Sequence, residues 1–454
     1  MDLGFGTISN EGIALAMSLL LTLALAAALL TSKRRTGLTF TPVTFFFIFA
    51  FAHALFGRYA AAILAARYTF INPAALDPFL DRSFLIIATG LTCCFAAFIL
   101  VPSSAPSRIA LALARVSNTL AFEQMSARSR VLIVLAVPLI VYGLQQLGGI
   151  PLLSDSPRHD RYLLNFTPEH RLDTFLVNRG RELIVFPAAA LAVGWFFSKW
   201  RVADALFVGL AVISCLLTAT RAPVLIGTLI VAVMFVWQGR VRAVILVGAV
   251  ALAGLIASEV ALGVDTGPGT GEWTTIERIG ADVSEVRDLA WTLRKHDEPY
   301  WGRTFLAGLL PIPAAQSEFT ETYHLRTITL NAIGIPLTAA HGGLRITYSG
   351  EWFLNFGWPG VVIGGLLYGW MSSWFSSQFH RLKVRSMAQP VGAVALACAW
   401  VTLSFMIYMA GTGAGGTLKT YSAALAVLLL RLRRKAVRTQ PASAMEYSLS
   451  MIPR

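Results

Sequence analysis

Apolar positions in this chain rarely alternate with polar ones; they gather into long, nearly unbroken runs. Runs such as Ile13 to Leu30 and Val241 to Ile256 come close to, or just below, the roughly 20 residues that cross a hydrocarbon core. Windows of this kind recur near residues 12–31, 41–57, 83–101, 131–149, 183–198, 205–220, 222–237, 241–257, 359–375, 390–408 and 418–430, which predicts about eleven transmembrane helices. Two longer polar stretches interrupt them, residues 150–182 and about 258–350. Loops that only connect helices are short, so these two are where function is expected. In the larger one Ile276, Ile279, Val283, Val286, Ala290 and Leu293 recur at three- and four-residue spacing with charges between them. That period predicts an amphipathic helix lying on the outer face of the bundle. Phe305 to Pro313 is apolar but too short to span, and is expected to dip into the interface.

Composition agrees. Of 454 residues, 56% are hydrophobic and 13% charged, about half the charge of an ordinary soluble domain. A net charge of +13 would suggest nucleic acid in a soluble protein, but these cations are scattered over membrane-flanking segments, and no nucleic-acid partner is expected. Assigning loops alternately to two sides puts 20 of the 37 basic residues on one side, Lys33, Arg34 and Arg35 among them, with only Glu123, Asp204 and Glu446 of the 24 acids. The positive-inside rule makes that side cytoplasmic, so the N-terminus is expected outside and the C-terminus inside a cell's inner membrane. The first run leads into Lys33-Arg34-Arg35 instead of a cleavage site, and is read as a retained span. All four cysteines fall inside apolar runs, which argues against a disulfide framework or zinc cage.

The domain plan is a first transmembrane bundle over 1–257, about eight spans with the external loop 150–182; a large external loop over 258–350; three last transmembrane helices over 351–435; and a cytoplasmic tail over 436–454. Arginines crowd the outer segments: Arg158, Arg161, Arg171, Arg179 and Arg181 in the smaller loop, Arg221 between two short spans, and Arg303, Arg326 and Arg345 in the larger loop. A guanidinium binds phosphate through paired donors, although any one arginine equally suits headgroup anchoring. Arg221 stands out, because a one-residue turn between spans of 16 residues pulls it toward hydrocarbon, where a charge needs a polar cavity or an anion. His341 is followed by Gly342, Gly343 and Arg345, with Glu351 ten residues on, just before a span. A base, a cation and a carboxylate beside a glycine turn suit a transfer site; a solvated histidine and a helix-capping glutamate are the plainer reading.

The larger loop and the span after it carry three strings: Tyr300-Trp301-Gly302-Arg303-Thr304-Phe305, Leu310-Pro311-Ile312-Pro313, and Gly350-Glu351-Trp352-Phe353-Leu354-Asn355-Phe356-Gly357-Trp358-Pro359-Gly360. With the Thr220-Arg221-Ala222 turn, these resemble the Wzy-type polymerases of O-antigen and exopolysaccharide repeat units. The motifs cover about a quarter of the chain. Ala314 stands where the family often has arginine, and Gln316-Ser317-Glu318 where it often has Trp-Pro.

The resemblance implies an all-α, glycosyltransferase-C-like bundle and a metal-independent glycosyltransferase without a cofactor. Its substrate would be an oligosaccharide linked to undecaprenyl diphosphate, with membrane lipids and a chain-length regulator as further partners. The growing glycan would pass to the sugar end of the next lipid-linked unit. His341 and Glu351 are the catalytic candidates, and Arg221, Arg303, Arg345, Tyr300, Arg179 and Arg181 the binding candidates. An O-antigen ligase differs only in its acceptor. A non-enzymatic lipid-linked oligosaccharide transporter should place ionisable residues at mid-membrane, and the spans hold almost none besides His53.

Overall fold

The computed structural model describes residues 10–36, 41–65, 77–101, 122–146, 148–154, 160, 171–197, 201–218, 227–228, 231–232, 249, 285–309, 318–334 and 346–386. Among these residues all regular structure is helical. The helices are α1 (Asn10–Thr36), α2 (Pro42–Ala65), α3 (Asp77–Leu100), α4 (Phe122–Gln146), α5 (Arg171–Phe197), α6 (Val202–Leu217), α7 (Glu285–Leu293), α8 (Arg303–Leu309), α9 (Glu318–Tyr323), α10 (Leu325–Ile333) and α11 (Tyr348–Ser386). Three of them contain stretches long and apolar enough to cross a membrane, Gly12–Thr36, Phe79–Leu100 and Ser126–Gln146.

Helix α1 shows why the surrounding solvent is apolar. Ala14, Leu21, Leu25 and Ala28 form one buried stripe, while Leu15, Leu19, Leu20, Leu23 and Leu30 stand exposed. A helix that is hydrophobic all round but packed on one side only is at home in lipid. The centre of the bundle is α3, whose Phe84, Leu91, Phe95 and Phe98 are buried; Phe47 of α2 meets Phe95 and Phe98 at 4.8 and 5.0 Å between ring centroids. A second cluster joins α4, α5 and α6 through Ile133, Ile140, Ile184, Ala211 and their neighbours. There Asp204, fully buried, accepts from Nε and Nη2 of Arg130 at 2.8 and 2.6 Å and from Ser126 at 2.8 Å.

Helices α3 and α11 run parallel and touch backbone to backbone. A Cβ on Gly365 would lie 2.7 Å from Cβ of Cys93, and one on Gly369 2.7 Å from Cβ of Ala97. Such small-residue seams hold helices together in lipid, where burying a leucine gains nothing over leaving it in the hydrocarbon.

The two ends of this bundle differ chemically. Near one end, Arg35 donates from Nη1 to the Phe98 carbonyl (2.8 Å) and Ser373 Oγ (2.9 Å), and from Nη2 to the Ile99 carbonyl (2.8 Å). It fills carbonyls that the last turn of α3 leaves without a helical donor. Near the other end Arg58 pairs with Asp81 at 2.9 Å, and Arg82 lies over the Phe353 ring of α11 at 5.3 Å. Sixteen helical residues from Arg82 to Phe98 separate the ends by about 24 Å.

The helices outrun their hydropathy windows because hydropathy registers only the apolar middle. The clearest case is α5, which begins at Arg171. Residues 171–182, expected within the smaller loop, are helix, and Arg179 and Arg181 belong to it. The amphipathic helix also differs from expectation. Its described part, α7, does not lie on the bundle surface: Val286, Leu289, Ala290, Trp291 and Leu293 are buried, packed with α2 and α3 in one cluster. His53 of α2 meets Glu285 at 2.8 Å, Nδ1 to Oε1, and so ties α7 to the bundle. Residues 276–284, the windows 390–408 and 418–430, and most of 222–237 and 241–257 lie outside the described residues.

Candidate functional site

The candidate site forms around a break in α11. Thr347 starts this helix, its hydroxyl accepting from the Gly350 N–H at 3.2 Å. Gly357 interrupts it with φ 66° and ψ −153°, a region open in practice only to glycine. Two residues later Pro359 has no N–H to offer the Asn355 carbonyl. The break therefore leaves the Leu354 and Asn355 carbonyls short of helical donors, and buried carbonyls need partners.

Tyr300-Trp301-Gly302 supplies them. The Tyr300 N–H donates to the Leu354 carbonyl at 3.0 Å and the Trp301 N–H to the Asn355 carbonyl at 3.1 Å, while the Gly302 N–H reaches Asn355 Oδ1 at 2.8 Å. Trp301 and Gly302 have φ of 51° and 83°, and the Arg303 N–H closes onto the Tyr300 carbonyl at 3.0 Å. A tight turn with two successive positive φ values is costly at a tryptophan. The contacts with α11 hold it in place. The motif before α8 and the motif at the head of α11, some fifty residues apart, are thus one structural unit.

Beneath the turn lies a buried hydrogen-bonded chain. The Thr304 hydroxyl donates to Glu351 Oε1 at 2.8 Å, and Asn355 Nδ2 donates to Thr304 Oγ1 at 2.6 Å and to the Glu351 carbonyl at 2.8 Å. Thr304, Glu351 and Asn355 are at most 1% exposed. Glu351 is therefore buried in this arrangement, where it fixes Thr304 and with it the start of α8.

Above the turn the side chains face outward. Arg303 is exposed; it donates from Nη1 to the Tyr323 hydroxyl at 2.7 Å and sits 4.9 Å over that ring. Tyr300, half-buried, meets Tyr323 edge to face at 6.3 Å, and burial pushes its phenol above the ordinary value, with Tyr323 and Asp297 adding to this. His296 stacks beside Tyr300 at 5.0 Å. Burial lowers its basicity, Asp297 opposes this, and Arg82 adds a smaller lowering. His324 serves the backbone: its Nδ1 accepts from the Arg326 N–H at 3.2 Å and caps α10. Burial and Arg326 depress its basicity, which suits a ring that must keep Nδ1 free of a proton.

Of the sequence candidates, Tyr300, Arg303 and Glu351 come together here. Arg181 does not join them. It is buried in α5, donating from Nη1 to Thr218 Oγ1 at 3.3 Å near the end of α6, and Arg179 lies two residues before it. His341, Arg345 and Arg221 lie outside the described residues. Residues without an assigned role in the sequence reading prove central: Thr304, Asn355, Arg82, His296 and Tyr323. A signal existed for Asn355, since a proline four residues on marks its carbonyl as orphaned. Nothing local marked Arg82.

No family model matches the chain, nor does any curated protein or solved structure.

Proposed function

We propose that this chain is a membrane glycosyltransferase that polymerises lipid-linked oligosaccharide repeat units, in the manner of the Wzy-type polymerases it resembles. The observation that carries this reading is the union of the two resembling motifs. Tyr300 to Thr304 seats on Glu351 to Asn355 through bonds at 2.6–3.1 Å, leaving a guanidinium and two tyrosines outward at one end of the bundle. That end is opposite Lys33-Arg34-Arg35, and the proposal takes it as the outer face of the inner membrane. The eleven-span plan fits the parallel packing of α3 and α11, because an odd number of crossings must separate two parallel spans; windows four to eight supply five.

In the proposed reaction a hydroxyl on the incoming unit attacks the anomeric carbon of the growing glycan. A new C–O bond forms, the bond from that carbon to the diphosphate oxygen breaks, and undecaprenyl diphosphate leaves with the electron pair. The hydroxyl proton goes to a base, for which His341 is the candidate now that Glu351 is assigned to positioning. Arg303 stabilises the leaving diphosphate, which needs cationic partners in a metal-independent enzyme.

Cells deleted for this chain are expected to accumulate single lipid-linked repeat units and to lose all longer polymer. Full-length polymer retained on the lipid carrier would instead favour a ligase. The topology has its own test. Cysteines introduced at Asp297 and His170 are expected to react with a membrane-impermeant thiol reagent added outside, and cysteines near 120 and 383 only after the membrane is opened. Labelling of position 297 from the cytoplasmic side alone would reverse the scheme.

A further inference from the structure

Arg82 was no part of the sequence reading, yet it joins a run of contacts leading to Arg303. Its guanidinium lies over the Phe353 ring at 5.3 Å, one residue before Leu354, whose carbonyl takes the Tyr300 N–H; His296 lies 5.0 Å from Tyr300, Tyr300 6.3 Å from Tyr323, and Arg303 4.9 Å over the Tyr323 ring. Both arginines are exposed, and among the described residues neither pairs with a carboxylate. Arg58, by contrast, takes Asp81, the neighbour of Arg82. Two guanidiniums with no carboxylate partner among the described residues, set at the ends of a row of rings, suit a ligand that carries both anionic oxygens and flat C–H faces.

We infer that this row is a subsite for an acidic sugar of the glycan, with Arg82 binding its carboxylate and the rings of His296, Tyr300 and Tyr323 receiving the sugar faces. The inference rests on the glycan-transfer reading and deepens it. A diphosphate offers the anionic oxygens but no C–H face, so it would leave the rings unused; a neutral sugar would leave Arg82 unused. A guanidinium matches a carboxylate through two parallel donors, and aromatic walls with a few polar groups are the usual make-up of small-ligand sites. His296, whose basicity burial lowers against the opposing pull of Asp297, presents a ring and not a second cation. Asp297, exposed beside it, is a negative charge that disfavours a multiply charged ligand more than a single carboxylate.

The test is isothermal titration of the full chain in lipid nanodiscs with a trisaccharide bearing one glucuronate, its neutral glucose counterpart, and inorganic pyrophosphate. The acidic trisaccharide is expected to bind at least tenfold more tightly than the neutral one. Arg82→Gln is expected to erase that difference while leaving neutral binding unchanged. Arg82→Lys, which keeps a cation over Phe353 but not the paired donors, is expected to fall between. Equal binding of the two trisaccharides, or wild-type preference in Arg82→Gln, overturns the assignment. Pyrophosphate binding that depends on Arg82 and displaces the acidic trisaccharide overturns it in favour of the diphosphate. Because binding is read without turnover, its failure beside intact polymerisation would leave the glycosyltransferase reading standing.

Discussion

Glu351→Ala is expected to reduce polymer formation about a hundredfold while the protein still accumulates in the membrane. The carboxylate accepts the Thr304 hydroxyl at 2.8 Å, and that hydroxyl accepts from Asn355 at 2.6 Å. Removing it leaves buried polar groups short of a partner, at about 1–3 kcal/mol each, and frees the first turn of α8. Arg303 immediately precedes Thr304, so the shift reaches the proposed diphosphate contact, where a misplacement of about 1 Å can cost roughly a hundredfold in rate. Glu351→Gln separates positioning from proton transfer. Glutamine still offers an oxygen to Thr304 but cannot serve as a base, so it is expected to keep most of the activity. If glutamine is as inactive as alanine, the charge itself is needed and the positioning role is wrong.

The second large effect is on assembly. Gly369→Leu is expected to destabilise the protein by about 3 kcal/mol, at the upper end of the ordinary cost of overpacking, and the double variant Gly365→Leu, Gly369→Leu is expected not to accumulate. At both positions even a Cβ would overlap α3, reaching 2.7 Å from Cβ of Ala97 and of Cys93 respectively. The helices must then part, losing close dispersion and Cα–H contacts, and the surrounding lipid offers the leucine no compensation. Thermal unfolding in detergent measures the single variant. A melting temperature within a degree of wild type would mean that this seam is not what joins α3 to α11.

What was legible in the sequence follows from period and solvent. The long apolar runs predicted membrane helices because twenty such residues have no other economical place, and α1, α3 and α4 meet that standard. The ends were less legible. Arg171 to Glu182 is polar enough to resemble a loop, yet it continues a helix in which Arg181 is buried beside Thr218; hydropathy cannot see a partner on another helix. The same limit explains α7. Its apolar period was visible, but whether that face met lipid or protein depended on α2, α3 and the His53–Glu285 bond. At the site, the motifs located Tyr300, Arg303 and Glu351, but a motif string carries no burial. Glu351 had the right chemistry for a base, and only its 1% exposure shows that it faces inward to Thr304. Arg82 is more than two hundred residues from Arg303, and its place over Phe353 is a product of the fold alone.

The most direct measurement incubates the purified chain, in nanodiscs and with a chelator present, with a single synthetic undecaprenyl-diphosphate-linked repeat unit. Products are resolved on a gel, and released undecaprenyl diphosphate is quantified. The account predicts a ladder of glycans spaced by one repeat unit, one undecaprenyl diphosphate freed per bond formed, and loss of both in Arg303→Ala with poor rescue by Arg303→Lys, which lacks the paired donors. A wild-type protein that gives no ladder from its cognate unit, or a ladder that requires magnesium and survives Arg303→Ala, would contradict it.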